Sequence, residues 1–502
     1  MKKDNLMRGA LILSIGGILA KIFSAIYRIG LTRILGGEGI GLYQLVFPLY
    51  SLCVVLATAG LPMAISKVIA KSKSTAKSVI KKCLLFVIII SLVLSFILFT
   101  CSEGLATLQG EKSISICYII LAPSIILVSA CSVLRGYFQG IANFVPSAVS
   151  NIFEQFVKLC VGLILSLALV GISLLASIIG AMISIVVSEI VSLLILLVFF
   201  KKYKPTDNQT TNIELKGLLK DILPITLTNI IMPIATFIDS ILVVNLLNIN
   251  FTQSMSVFLY GLESGAVSSL VILPTIFSFA IASVILPSIT SNLVSENRNH
   301  MLSLAIKIIL IITIPCVLCF ALIPDRLITL LYGNRLNGMG VEGLNVVYRL
   351  LTISGFGVVF LAISQVYSSC LQAVDERIAS VRNLAIAVIL KFILELIFMP
   401  SKVLNIYVLS IANLVCYITV MTLNHFEIKE HYKLKINYLF TGKLILSNCF
   451  MLLALLCVLS FNSSWSNTLL AIAIAVIVYF VSLFYTKIFS KKDMAMIKYK
   501  VK

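Results

Sequence analysis

Charge is what this 502-residue sequence has least of: 12% of its residues are Asp, Glu, Lys or Arg, against about 25% in a soluble domain. Sixty per cent are hydrophobic, and the mean hydropathy is +1.10. A soluble core cannot absorb that much apolar surface, so the bilayer must act as the solvent. Acids are scarcer than bases, 20 against 39, for a net charge of +19. Nucleic acid is not the partner this excess implies. Most Lys and Arg sit in short loops between apolar runs, which is the positive-inside pattern of a polytopic protein. No G-x-x-x-x-G-K-[ST] loop occurs, which argues against ATP hydrolysis by this chain. Long polar loops are also missing: the longest inner one runs over 201–221, so no catalytic domain is expected and the chain does not read as an enzyme. The outer loops hold no His or acidic cluster with metal-ligand spacing, so no metal or other cofactor is expected. The twelve Cys are scattered through apolar runs. Only Cys316 and Cys319 make a C-x-x-C, without His or acidic neighbours, and they read as small apolar residues on a packing face. A cleavable signal is not expected either, because the run from Gly9 to Leu31 is too long, carries Lys21 and Arg28, and is not followed by a small-residue cleavage site.

What is present is a series of apolar runs, each near the roughly 20 residues that a spanning helix needs. They predict an all-α polytopic membrane protein of about fourteen spans, at 9–31, 43–66, 83–101, 115–137, 148–170, 175–200, 222–247, 265–290, 302–323, 345–370, 381–399, 405–424, 441–460 and 468–488. An even count puts both termini on one side. The loops on that side, with their flanks and both ends, hold 28 of the 39 Lys and Arg, six of them between Lys67 and Lys82. The opposite side holds five: Arg33, Lys112, Arg326, Arg335 and Lys402. Both termini are therefore expected in the cytoplasm.

Two halves of the chain echo one another. At an offset of 225, Leu61-Pro62 and Ser66 match Leu286-Pro287 and Ser291, and Pro48 matches Pro274 to within one residue; at 233, Gln139, Ser147 and Lys158 match Gln372, Ser380 and Lys391. Six spans per half give a parallel repeat about an axis along the membrane normal. The expected division is an N-terminal lobe over 1–205, a C-terminal lobe over 206–430 and an added hairpin and tail over 431–502. Pro48, Pro62, Pro224, Pro233, Pro274, Pro287 and Pro315 fall within spans, where each removes a backbone hydrogen bond and permits a kink.

A charge at the centre of a spanning helix costs about 2.5–3.5 kcal/mol on insertion scales, so such residues usually face a bundle interior or a wet cavity. Among the charges within or near the spans are Lys21, Arg28, Arg135, Glu154, Lys158, Glu189, Asp239, Arg349, Lys391 and Glu395. Lys21, Ser24 and Arg28 share one face of the first span. They form a cationic wall suited to an anionic headgroup, unless Lys21 pairs across helices and Arg28 snorkels to the interface. Glu154 with Lys158, and Lys391 with Glu395, are each spaced to close an i,i+4 ion pair. Their equivalent spans suggest that both pairs line the space between the lobes. Asp239 and Glu189 are lone acids, each able to take a proton or Na⁺ or to hydrogen-bond a neighbouring helix.

Lys21, Tyr27-Arg28, Thr32-Arg33, Leu35-Gly36-Gly37 and Gly41-Leu42-Tyr43 resemble the lipid-linked oligosaccharide flippases of the MOP superfamily. The run Ala59-Gly60-Leu61-Pro62-Met63-Ala64-Ile65-Ser66-Lys67 resembles the stage V sporulation protein B branch, and the stretch from Pro274 to Leu286-Pro287-Ser288 is similar to lipid II flippases of the MurJ type. The resemblance implies a two-lobed, MATE-like membrane transporter. Its cargo would be an undecaprenyl-pyrophosphate-linked glycan moved outward across the bacterial cell membrane, with membrane lipid as its other partner. It also implies basic residues in the first, second and eighth spans, and Lys21 matches the first, with Arg28 close to it. The second span has no cation between Tyr43 and Ser66, and the eighth has none between Gly265 and Ser291, so the full cluster is not reproduced. The family's cation site lies between the seventh, eleventh and twelfth spans, where Asp239 and Asn383 are candidates for Na⁺ or H⁺ coupling. Two alternatives stay open: a multidrug or cation antiporter of the same superfamily, and an exporter of another lipid-linked polysaccharide unit. The first would call for acidic cavity residues, which the first span does not have.

Overall fold

The computed structural model describes residues 3–71, 76–204, 215–278, 295–338, 343–374, 376–431, 438–461, 464–489 and 493. The chain runs through α1 (Lys3–Thr58), α2 (Leu61–Lys71), α3 (Ala76–Thr100), α4 (Ser102–Leu108), α5 (Ser115–Gly140), α6 (Val145–Leu169), α7 (Leu174–Lys202) and α8 (Leu215–Leu247). There follow α9 (Gln253–Ser278), α10 (Ser295–Leu322), α11 (Pro324–Tyr332), α12 (Gly343–Ala373), α13 (Arg377–Phe398), α14 (Tyr407–His431), α15 (Tyr438–Leu459) and α16 (Trp465–Tyr485). The fold is all-helical, as the apolar runs predict.

Twelve segments among the described residues are long and apolar enough to cross a membrane, against the fourteen expected from sequence. Two local features account for the difference. The first and second expected spans lie in one continuous segment, Ile15–Ala70, so the outer loop expected around Arg33 is helical. This segment is broken at Gly36 (φ 68, ψ −170), a conformation essentially reserved for glycine, and again at Gly60 (φ 78). The second break places Pro62 in the first turn of α2, where its missing N–H costs nothing, rather than in mid-span. The other feature is α13, which covers the expected eleventh span but holds Arg377, Arg382, Lys391 and Glu395, too many charges for the helix to rank among the apolar ones. The eighth helix starts earlier than expected, at Gln253, and its expected end lies outside the described residues, with Leu286-Pro287 and Ser291 of the repeat.

The chain divides into two compact units: residues 1–269, 335–343 and 388–412, and residues 270–334, 344–387 and 413–502. Between membrane helices there is no hydrophobic driving force, and close backbone approach takes its place. In the first unit that approach is made by glycines. Gly37 and Gly41 of α1 stand four apart, as do Gly261 and Gly265 of α9, and the two pairs face each other. A Cβ on Gly41 would lie 2.1 Å from the Val257 carbonyl oxygen, and one on Gly261 2.2 Å from that of Gly37. Within α9 the helix widens into a π turn over Leu262–Val267. Gln44 of α1 donates to the Ser264 carbonyl at 2.6 Å, satisfying an oxygen in the widened turn.

In the second unit, α10, α12 and α14 share a core that includes Leu302, Ile309, Val366, Cys370 and Ile428. A second core joins α10 to the α15–α16 pair through Ile311, Met451, Leu455 and Ala475, and Tyr479 donates to the Ile311 carbonyl at 2.7 Å. Buried Lys307 bonds Asp493 at 3.1 Å. All twelve Cys are free thiols.

Candidate functional site

Seven spanning-region charges of the first unit gather in two clusters. The first lies among α1, α5, α6 and α7, around a cavity of about 230 Å³ lined by Phe47, Tyr50, Arg135, Glu154, Lys158 and Glu189, with Ser and Gln side chains between them. Arg135 of α5 donates to Glu154 at 2.6 Å, to Ser192 of α7 at 2.8 Å and to Ser150 of α6 at 3.2 Å. Its planar fork thereby ties three helices together with charge-assisted bonds. The i,i+4 pair expected between Glu154 and Lys158 is not formed. Arg135 takes the carboxylate, and Gln155 donates to its other oxygen at 2.9 Å. The Lys158 ammonium instead lies 5.3 Å from the ring centres of both Tyr27 and Phe47, where the electron-rich ring faces attract a cation. Glu189 is buried on the cavity wall, and its Oε2 has no hydrogen-bond partner. Two cations and two carboxyls therefore face this space.

The second cluster joins α8 to α13. Lys391 bonds Asp239 across the two helices and lies 3.7 Å from Glu395, one turn along its own helix. The i,i+4 contact expected of Lys391 and Glu395 is present, but Asp239 holds the closer bond, so Asp239 is not a lone acid. All three side chains are buried.

The remaining candidates stand apart. Lys21, Ser24 and Arg28 are half-buried along α1, and none of them lines the cavity. Arg28 reaches Gln44 at 3.5 Å, which joins the two halves of α1 across the Gly36 break. Asn383 belongs to the second unit, where it donates to Asn424 at 3.0 Å; Asn424 in turn donates to Ser368 at the same distance. Arg135 is the residue that the sequence reading passed over as a site residue: it was visible as a mid-span charge, but its partners lie 15 to 57 positions away. No group of three His, Cys, Asp or Glu able to hold a metal occurs among the described residues.

Comparison with known proteins places this geometry. The chain is 32% identical over 230 residues to the uncharacterized membrane protein YabM of Bacillus subtilis, an alignment spanning 43% of that protein. It is 23% identical to the lipid II flippase MurJ of the same organism, covering 78% of this chain and 77% of that one. With stage V sporulation protein B it shares 24% identity over 66% and 68% of the two chains. Among solved structures, an inward closed lipid II flippase MurJ superposes with a TM-score of 0.72 at 19% identity, covering 95% of this chain and 99% of that one. An inward-facing multidrug resistance MATE transporter of the MOP superfamily gives 0.64 at 18%, covering 84% and 98%. The fold is thus that of MurJ and the MATE transporters, a multi-pass membrane architecture. The polysaccharide biosynthesis protein family model matches residues 6–293, more than half of the sequence, and the chain belongs to that family.

Proposed function

We propose that this protein moves an anionic lipid-linked glycan from the cytoplasmic to the outer leaflet by alternating access. The cargo is an undecaprenyl-pyrophosphate-linked unit of the lipid II type. The observation that carries the reading is the agreement with a lipid II flippase over 95% of the chain, together with the family match. The spore cortex is the destination, a reading that the relationship to stage V sporulation protein B supports. The chain crosses the membrane fourteen times with both ends in the cytoplasm. Residues 1–205 and 206–430 act as the two lobes, and 431–502 as the added hairpin. Lys21 and Arg28 receive the pyrophosphate, Ser24 adds a hydroxyl on the same face, and Lys158 offers a further cation. As the lobes rock, the headgroup passes while the polyprenyl tail stays in lipid. A drug exporter shares the fold, but the cations on α1 suit an anion.

Binding tests the cargo directly. Purified protein is titrated with undecaprenyl pyrophosphate and, separately, with undecaprenol. The pyrophosphate is expected to bind at least about tenfold more tightly, a difference of about 1.4 kcal/mol, and Lys21→Ala with Arg28→Ala to erase that preference. Equal binding of the two lipids, or a double variant that keeps the preference, contradicts the assignment of the pyrophosphate to Lys21 and Arg28.

A further inference from the structure

The cavity among α1, α5, α6 and α7 holds two opposite charges that do not meet. Arg135 and Glu154 neutralise each other at 2.6 Å. That leaves Lys158 and Glu189, which line the same cavity yet form no ion pair within 4.0 Å with each other or with another described residue. Lys158 is held over the faces of Tyr27 and Phe47. An aromatic ring carries a quadrupole and no net charge, so it steadies the ammonium without neutralising it. Glu189 is 7% exposed, and its Oε2 has no hydrogen-bond partner. A buried charge is costly unless it is paired. A small anion in the cavity satisfies Lys158 and leaves Glu189 alone, and a small cation does the reverse. One ligand that carries both a carboxylate and an ammonium satisfies both. Phosphate is less well served, because the Arg135 fork that suits it is taken by Glu154, Ser192 and Ser150. Size narrows the ligand further. A volume of about 230 Å³ is below the roughly 300–1,000 Å³ of pockets for drug-sized ligands, so the space fits an amino-acid-sized group and not a disaccharide.

We propose that this cavity binds a zwitterionic group of amino-acid size, with its carboxylate on Lys158 and its ammonium on Glu189. The recognition chemistry rests on the cavity alone; a link to the transported lipid rests on the flippase reading above. Two sources can present such a group: a free amino acid, and an amino-acid unit carried on the lipid-linked glycan. Pyrophosphate stays with Lys21 and Arg28, which do not line this cavity. Under the flippase reading, Lys158 therefore serves a part of the cargo other than the pyrophosphate. Arg135 is a positioning residue. Its bonds to Ser150 and Glu154 of α6 and to Ser192 of α7 fix the two helices that carry Lys158 and Glu189.

Calorimetric titration of the purified full chain tests the site with three probes: L-alanine, N-acetyl-L-alanine, which lacks the ammonium, and L-alaninamide, which lacks the carboxylate. The parent is expected to bind L-alanine at least about tenfold more tightly than either blocked form, an arm that needs no variant to fold. Glu189→Gln is expected to lose the preference over N-acetyl-L-alanine and to keep that over L-alaninamide. Lys158→Met is expected to do the converse, a crossed pattern that an unfolded variant does not give. Competition separates the two sources. If the group belongs to the cargo, a lipid-linked disaccharide bearing an amino-acid unit with free amino and carboxyl groups displaces L-alanine, and its N-acetylated form does not. If neither lipid displaces it, the occupant is the free amino acid. A parent that prefers neither L-alanine nor the free-ended lipid over its blocked forms overturns the proposal, as do variants that both keep the parent's preferences. If L-alanine binds as expected and lipid translocation still fails, the zwitterion site stands and the flippase reading falls.

Discussion

Arg135 shows what the buried charges do at the scale of single residues. Its bonds to Ser150, Glu154 and Ser192 supply what water would, and they offset the cost of carrying charge inside a span. Removing one partner leaves the other charge uncompensated, which in buried pairs costs about 3–5 kcal/mol, whereas replacing both with apolar groups is often close to neutral. Arg135→Met is therefore expected to lower thermal stability in detergent sharply, and Arg135→Met combined with Glu154→Met to recover most of the loss. Additive losses in the double variant contradict the pairing. The charges themselves were legible in the sequence, because a charged residue within a hydrophobic run stands out. Their partners were not. Helical spacing nominated Lys158 for Glu154 and could not weigh an arginine on the preceding helix with five donors in a planar fork. The same spacing found the contact of Lys391 with Glu395 but missed Asp239, which is 152 positions away.

At the scale of elements, glycine decides where helices meet. The Gly37/Gly41 and Gly261/Gly265 pairs bring α1 and α9 to backbone contact, and at Gly41 and Gly261 the obstacles are carbonyl oxygens that cannot swing aside. Gly41→Ala is expected to cost about 1–3 kcal/mol or more, as overpacking does. Gly17, with nothing within 4 Å of an added Cβ, is expected to accept alanine with no loss, or with a gain of about 0.4–1 kcal/mol. Melting of the two variants in the same detergent checks the contrast, and equal melting temperatures contradict the contact. Most helices follow from apolar runs of sufficient length. The breaks at Gly36 and Gly60 and the π turn in α9 do not, because each depends on backbone dihedrals that hydropathy does not encode. Treating 43–66 as one uninterrupted span overlooked Gly60 for that reason.

For the whole molecule, composition alone points to the bilayer, and family membership and fold agree with the resemblance carried by the first 67 residues and by the stretch from Pro274 to Ser288. Orientation rests on loop charge, and the six-six-two division on the repeat. The central claim is that the chain carries a lipid-linked glycan across the membrane. The most direct measurement reconstitutes the protein in liposomes with a fluorescent lipid-linked disaccharide in both leaflets and adds an impermeant quencher outside. If the protein moves this lipid, signal beyond the outer-leaflet fraction is lost in parent liposomes, and the loss slows at least about tenfold with Lys21→Ala and Arg28→Ala together, about 1.4 kcal/mol in the barrier. Quenching that stops at the outer leaflet, as in protein-free liposomes, contradicts the account.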